Sequence, residues 1–339
     1  MTNTTPQTGA TKKGHTMLTR RHLLATPAAL AVAGTASAQD ANFPNRSLRM
    51  LVAYAPGGGT DLVARTLAQR LGTVLGQPCV VDNRPGAGGN IATDEAARSR
   101  PDGYTLLMGN QGPMAVNPSL FRNMRNDPAT TLDPVALVAD APLLLVAGPK
   151  SRANTTQELL DEIKAANGNL TYGSASNGSA SHLAAALMLQ TANLEAVHVP
   201  FRGAGPALTD VVSGNLSFMI TTLPSVMGLV QGGSLRAIAT TGAQRSPTLP
   251  NVPTIGETLQ GYTASAWYGI MVPKGTPEPI RAKLEAAIME SVTNPEVAVR
   301  LREDGAEPAR MNGRDFGAYI ARERTRWAEV IRRGAIQVD

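Results

Sequence analysis

The chain has 339 residues with 31 Lys and Arg against 26 Asp and Glu, giving a net charge of +5 and a pI near 9.5. A basic balance of this kind points to nucleic acid or an anionic membrane as partner. Four of the surplus cations, Lys12, Lys13, Arg20 and Arg21, lie in residues 1–38, which contain no acid; the other 301 residues carry 27 basic and 26 acidic side chains, a net of +1, so the nucleic-acid reading falls if that segment is removed.

The segment reads as an export signal cleaved after Ala38. Arg20-Arg21-His22 opens an apolar run, Leu23 to Ala33, and Ala36-Ser37-Ala38 follows as a small-x-small cleavage site ahead of Gln39, the three parts of a secretory leader. The paired arginines resemble a twin-arginine signal. A membrane anchor would need about 20 apolar residues, and this run is shorter and holds Pro27. The mature chain is therefore expected in the periplasm. It is large enough to bury a sizeable core and at that size usually divides into two domains.

Strand-like and helix-like stretches then alternate. Leu48–Tyr54 reads as a strand and Thr60–Leu75 as a helix, followed by strand Cys79–Val81, helix Asn90–Ser99 and strand Thr105–Met108. The alternation resumes with strand Leu143–Ala147, helix Thr156–Ala166, strand Leu170–Tyr172 and helix Ser179–Thr191. Ala196–Val199, Gly205–Ser213, Leu216–Ile220, Pro224–Gln231 and Leu235–Thr240 continue it, and Trp267–Val272 reads as a last strand. Helices close the chain near Pro277–Val292, Pro295–Glu303 and Gly313–Arg333, the last with Phe316, Ile320, Glu323, Trp327 and Val330 on a docking face. This order predicts an α/β fold with mostly parallel sheets. Cys79, the chain's single cysteine, sits in a strand-like run and reads as a buried structural thiol.

Catalytic and cofactor templates fail. Beyond residue 38 the histidines are His182 and His198, so there is no HExxH pair or Cys/His cluster for zinc. Gly57-Gly58-Gly59-Thr60 follows a strand but lacks the GK[ST] of a nucleotide loop, and both Gly173-Ser174-Ala175 and Gly178-Ser179-Ala180 put Ala where a hydrolase nucleophile would stand. No metal, cofactor or catalytic residue is expected. What remains is a set of small-residue loops, each between a strand and a helix: Pro56–Asp61, Arg84–Asn90, Gly173–Ser179 and Phe201–Pro206. Helix N-termini present unpaired N–H groups and partial positive charge, and ligands in open α/β sheets bind outside the carboxyl ends of strands. Taken singly, each loop is equally a helix cap or a turn. Together they predict a small anion held by backbone amides and hydroxyls.

The ordered motifs resemble the Bug (TctC-like) family of extracytoplasmic solute receptors of tripartite tricarboxylate transporters. They run from Ala55-Pro56-Gly57-Gly58-Gly59-Thr60-Asp61 through Asn83-Arg84-Pro85-Gly86-Ala87-Gly88-Gly89 and Pro101-Asp102-Gly103-Tyr104-Thr105. Further on come Tyr172-Gly173-Ser174, His198-Val199-Pro200-Phe201-Arg202-Gly203, Leu235-Arg236-Ala237-Ile238-Ala239, and Trp267-Tyr268-Gly269 with Pro273-Lys274-Gly275-Thr276-Pro277. The resemblance implies a two-lobed periplasmic-binding fold, each lobe a mostly parallel sheet flanked by helices, that closes around a small carboxylate. It implies a first lobe over 43–140 and 263–339, a second over 141–262, no catalysis, and a monomer that delivers its ligand to membrane subunits of a transporter. By position it assigns Gly58, Gly59, Thr60, Asp61, Gly86, Ala87, Gly88 and Gly89 to the first lobe's side of the site. Ser174, Ser176, Ser179, Arg202, Gly203, Ala204 and Thr221 fall on the second lobe's side. Two departures from the family pattern, Thr221-Thr222 in place of an Asp or Asn and Phe201 in place of a Tyr, place the ligand's second functional group in question. A ligand-sensing module and an exported α/β hydrolase are the competing readings.

Overall fold

The computed structural model describes residues 42–303, 305–333 and 336; the export signal expected in residues 1–38 lies outside the described residues. In chain order the first elements are β1 (Leu48–Val52), α1 (Gly59–Leu75), β2 (Cys79–Asn83), α2 (Asn90–Arg98) and β3 (Thr105–Asn110). A single π turn, Gly112–Val116, and the short helices α3 (Asn117–Leu120) and α4 (Pro128–Thr131) lead to β4 (Leu132–Ala147). Then come α5 (Thr156–Ala165), β5 (Thr171–Ser174), α6 (Ala180–Ala192), β6 (Val197–Pro200), α7 (Ala204–Val212), β7 (Phe218–Thr222), α8 (Leu223–Gln231) and β8 (Arg236–Thr240). The chain closes with β9 (Ser265–Pro273), α9 (Glu278–Thr293), α10 (Pro295–Glu303), β10 (Glu307–Asn312) and α11 (Gly313–Arg333).

The strands form two sheets that share β4. In the first, β2, β1 and β3 run parallel, and β9, β4 and β10 continue the sheet antiparallel. In the second, β6, β5 and β7 run parallel, and β4 lies antiparallel between β7 and β8. The parallel part of each sheet is thus its βαβ half, while the strands that pass between sheets supply an antiparallel half that the sequence pattern does not show. Each lobe has its own core. Leu51, Leu107, Met114, Trp267 and Phe316 cluster in the first, and Leu144, Val146, Leu208, Val211, Met219 and Val226 in the second. α1 forms because Val63, Ala64, Leu67, Ala68 and Leu71 recur at helical spacing and are buried. It stops at Gly76, whose φ of 68° is the left-handed conformation that ends helices.

Two differences from the sequence reading concern β4 and β10. β4 is 16 residues long, from Leu132, where the sequence shows a strand only over Leu143–Ala147. Pro134 and Pro142 break the pattern because proline has no N–H to give a ladder; the pairing with β9 slips at Pro134/Ala136, and Pro142 stands where β4 leaves β9 for β7. β10 carries Pro308 and Arg310 in a half-exposed edge position and gives no alternating signal.

The chain passes from the first sheet to the second within β4 and returns between β8 and β9. Thr241 ties the two crossings together. Its N–H donates to Leu143 O at 2.9 Å, its Oγ1 accepts from Leu143 N at 2.8 Å and donates to Ala264 O at 2.6 Å, and its carbonyl accepts from Ala264 N at 2.9 Å. A smaller apolar cluster of Val116, Leu120, Leu183, Trp327 and Ile331 packs α6 of the second lobe against α11 and the π turn of the first. Among the described residues no helix is long and apolar enough to cross a membrane.

Candidate functional site

The two sheets present their helix N-termini to each other across a cleft. Its walls are Tyr54, Gly58, Gly59, Thr60, Asn110, Gln111, Gly112 and, from β9, Ala266 and Tyr268 on the first lobe. Ala175, Ser179, Ala180, Ser181, Ala204, Thr221, Thr222 and Ser225 face them from the second. About 460 Å³ lies between these atoms, mouth included. The loops meet directly around it: Ala55 N–H donates to Arg202 O at 3.0 Å and Gly59 N–H to Ser225 Oγ at 2.7 Å.

Four helices, α1, α6, α7 and α8, begin at this cleft. Of these α1, α7 and α8 have no side-chain cap hydrogen bond, being preceded by Gly58, Gly203 and Thr222. Gly59 N–H at the start of α1 is taken by Ser225 Oγ, and Pro206 in α7 and Pro224 in α8 have no N–H; the other first-turn N–H groups are left to solvent or ligand, and the three helix dipoles add positive potential at one place. α6 is capped by Ser179, whose hydroxyl accepts from His182 N–H at 3.3 Å. None of the described residues lining the cleft is charged. An anion there would be held by dipoles and hydroxyls, without a buried Lys or Arg that would be costly when the site is empty.

Six of the residues assigned from sequence line this cleft: Gly58, Gly59, Thr60, Ser179, Ala204 and Thr221. Thr60 Oγ1 accepts from Asn110 Nδ2 at 3.1 Å, and Asn110 Oδ1 accepts from the Tyr54 hydroxyl at 3.4 Å. Burial pushes the Tyr54 phenol up to about 12, against the hydrogen bonds of Asn110 and Ser176. Tyr54 therefore stays a neutral donor at any working pH.

The structure turns the other assigned residues to different tasks. Asp61 accepts from Gly57 N–H at 3.0 Å, Arg65 Nε at 3.0 Å and Asn83 Nδ2 at 2.9 Å. Burial raises its pKa, but these bonds outweigh it and hold the carboxylate below its usual range, so it braces the loop and is not among the lining residues. Ser176 is buried beside the Tyr54 hydroxyl, behind the lining. Arg202 is exposed at the surface, and Gly203 packs against Ala55. Gly86, Ala87, Gly88 and Gly89 form a turn with positive φ at all four residues. A side chain at Gly88 would come within 3.1 Å of Asn177 O on the opposite lobe, so this turn is a lobe-to-lobe contact.

Ser174 is fully buried and points away from the cleft. Its hydroxyl donates to Ser176 O at 3.0 Å and lies 2.6 Å from His198 Nε2. His198 in turn stacks on His182, ring centroids 3.9 Å apart and planes 3° apart, and His182 Nδ1 accepts from Gly178 N–H at 3.1 Å. Burial holds both imidazoles neutral, His182 at about 3 and His198 at about 4, the second ring adding to the depression of the first. The two histidines are thus packing and hydrogen-bonding groups beneath the Gly173–Ser179 loop, as their local context in the sequence indicates. Among the described residues no cluster of His, Cys, Asp and Glu could hold a metal ion. Cys79 is half-buried, and burial pushes its thiol up to about 12, far from a reactive thiolate.

Sequence reasoning missed much of the wall: Tyr54, Asn110, Gln111, Gly112, Thr222, Ser225, Ala266 and Tyr268. Asn110 ends β3 and Gln111 follows it, and a polar pair at the end of an apolar strand was a usable signal. Tyr268 gave none, because it stands in the apolar run of β9.

The family model for the tripartite tricarboxylate transporter family receptor, TctC, matches residues 63–336. BugT of Bordetella pertussis is 37% identical over 306 residues, covering 89% of this chain and 94% of BugT. Rpa4515 of R. palustris, solved with adipate, superposes with a TM-score of 0.85 at 34% identity over 87% of this chain and 99% of its own. MatC from Rhodopseudomonas palustris, with bound malate, gives 0.81 at 33% identity over 85% and 100%. The fold is the two-lobed one of these binding proteins, and the protein belongs to the tripartite tricarboxylate transporter receptor family.

Proposed function

We propose that the chain is a periplasmic solute receptor that captures a small organic carboxylate between its lobes and delivers it to membrane subunits of a tripartite-tricarboxylate-type transporter. One observation carries this reading: the starts of three helices whose N-cap residues make no side-chain cap bond converge with hydroxyls on a cleft whose described lining has no charge. That arrangement suits a carboxylate and offers no nucleophile–base pair to a substrate. The adipate and malate bound to two relatives support the same ligand class. In this proposal the first lobe spans 43–140 and 263–339 and the second 141–262. The change of partner strand at Pro142 and the position of β9 support those limits. The receptor acts as a monomer after removal of residues 1–38, and it moves ligand without altering it.

A thermal-shift series on the purified protein with mono-, di- and tricarboxylates and neutral sugars tests the reading. A carboxylate present at 100 times its Kd adds about 2.7 kcal/mol of apparent stability. If a neutral sugar raises the melting point and no organic acid does, the carboxylate reading fails.

A further inference from the structure

The size of the cleft and one unsatisfied group in its wall narrow the ligand further. With the lobes as they stand, the cavity in the cleft is about 50 Å³. An apolar cavity of about 150 Å³ takes a benzene molecule, so this one suits an acid of only a few carbons. A longer dicarboxylate would have to extend through the mouth or hold the lobes apart. Its second anion would also meet no charged side chain among the described lining residues.

The unsatisfied group is the hydroxyl of Tyr268. The residue is 1% exposed, and its oxygen forms no hydrogen bond of good geometry, although Thr222 stands beside it. It reaches the lining at the start of α1, where a Cβ on Gly59 would lie 2.7 Å from it. The neighbouring hydroxyls are committed to one another, Thr222 Oγ1 and Ser225 Oγ being 2.7 Å apart with Ser225 Oγ also accepting from Gly59 N–H. A buried hydroxyl without a partner costs on the order of 1–3 kcal/mol, and a ligand oxygen would remove that cost. Tyr268 lies at the same helix start that would hold the carboxylate, within reach of a carboxylate oxygen or of an oxygen on the adjacent carbon.

We propose that the cleft takes a short 2-hydroxy- or 2-oxo-monocarboxylate, with the Tyr268 hydroxyl donating to the oxygen on C2. The inference rests on the carboxylate reading above and adds chain length, charge and the C2 oxygen to it.

Isothermal titration of the purified protein with lactate, pyruvate, propionate, malate and adipate, repeated on Tyr268→Phe, decides it. Lactate or pyruvate binds at least about tenfold more tightly than propionate, the value of one buried hydrogen bond, and more tightly than malate or adipate. In Tyr268→Phe the lactate and pyruvate affinities fall by about tenfold more than that of propionate, and an unchanged circular-dichroism spectrum and melting temperature show that the variant is folded. Tighter binding of malate or adipate than of either short acid overturns the ligand assignment and leaves the carboxylate reading standing. A preference for lactate or pyruvate that survives in Tyr268→Phe overturns the role of Tyr268. Failure of all five acids to bind overturns the carboxylate reading itself.

Discussion

Thr60 and Ser174 look alike in the sequence, each a hydroxyl in a small-residue loop after a strand, and the fold gives them opposite orientations. Thr60 lines the cleft and accepts from Asn110, leaving its own proton for a ligand. Ser174 is bound to His198 and Ser176 O in the interior. Thr60→Ala is therefore expected to lower carboxylate affinity by about tenfold, the value of one hydrogen bond to a charged group, with little change in melting temperature. Ser174→Ala takes away the hydroxyl partner of the buried His198 Nε2 and is expected to cost about 1–3 kcal/mol of stability with affinity nearly unchanged. Calorimetric titration and thermal melts of both variants separate the two roles; the opposite pattern would reverse them. Loop composition placed both residues near the site, but which way a hydroxyl points depends on His198, 24 residues downstream of Ser174. Tyr268 was illegible for a related reason. Its burial in β9 reads as core, and only the approach of α1 turns its hydroxyl into part of a wall.

At the scale of elements, the parallel βαβ halves were legible because each strand and helix buries residues at its own period. The crossing strand was not, because its role is to change partners and its prolines mark the change. Beside one of them, in the last first-sheet residues of β4, sits Asp140. Burial pushes its carboxyl up to about 6 and Glu323 adds to the rise, while hydrogen bonds from Ser265 and the Ala141 N–H oppose it. One oxygen, Oδ1, has no partner. The folded state thus holds a proton more tightly than the unfolded chain. The stability that comes from this group is complete below about pH 4 and is lost as pH rises through 6. A shift of about two units corresponds to about 3 kcal/mol. Asp140→Asn is expected to be more stable than the parent at pH 7.5 by up to that amount and no more stable at pH 4. Urea denaturation of both proteins at the two pH values measures it. An equal or smaller gain at pH 7.5 than at pH 4 would show that Asp140 is ionised at no cost in the fold.

At the scale of the whole molecule, the lobes touch through glycines, and Gly59 is the one of these contacts that lies in the cleft wall at the start of a helix. It has ordinary helical geometry at the first position of α1, so alanine there meets no backbone strain. Its Cβ would overlap the hydroxyl of Thr222, which comes from the other lobe. The Tyr268 oxygen, 2.7 Å from that Cβ, ends a buried ring and must also shift. Thr222 is held by Ser225 and by the start of α8. The added methyl therefore acts chiefly against the closed arrangement, with the Tyr268 hydroxyl its close contact within the first lobe. Overpacking of this kind costs about 1–3 kcal/mol. If ligand binds only when the lobes close, that cost appears chiefly in the affinity, a loss of roughly 5- to 150-fold. The ligand-free protein should be no less stable, because alanine is the better helix residue by up to about 1 kcal/mol. Titration of Gly59→Ala with the preferred acid, with small-angle scattering before and after saturation, tests the coupling. The parent should contract on binding, and the variant should need proportionately more ligand to contract as far. A variant that binds like the parent, or a parent that does not contract, would mean that the contacts between the lobes are fixed and that ligand enters a cleft already closed.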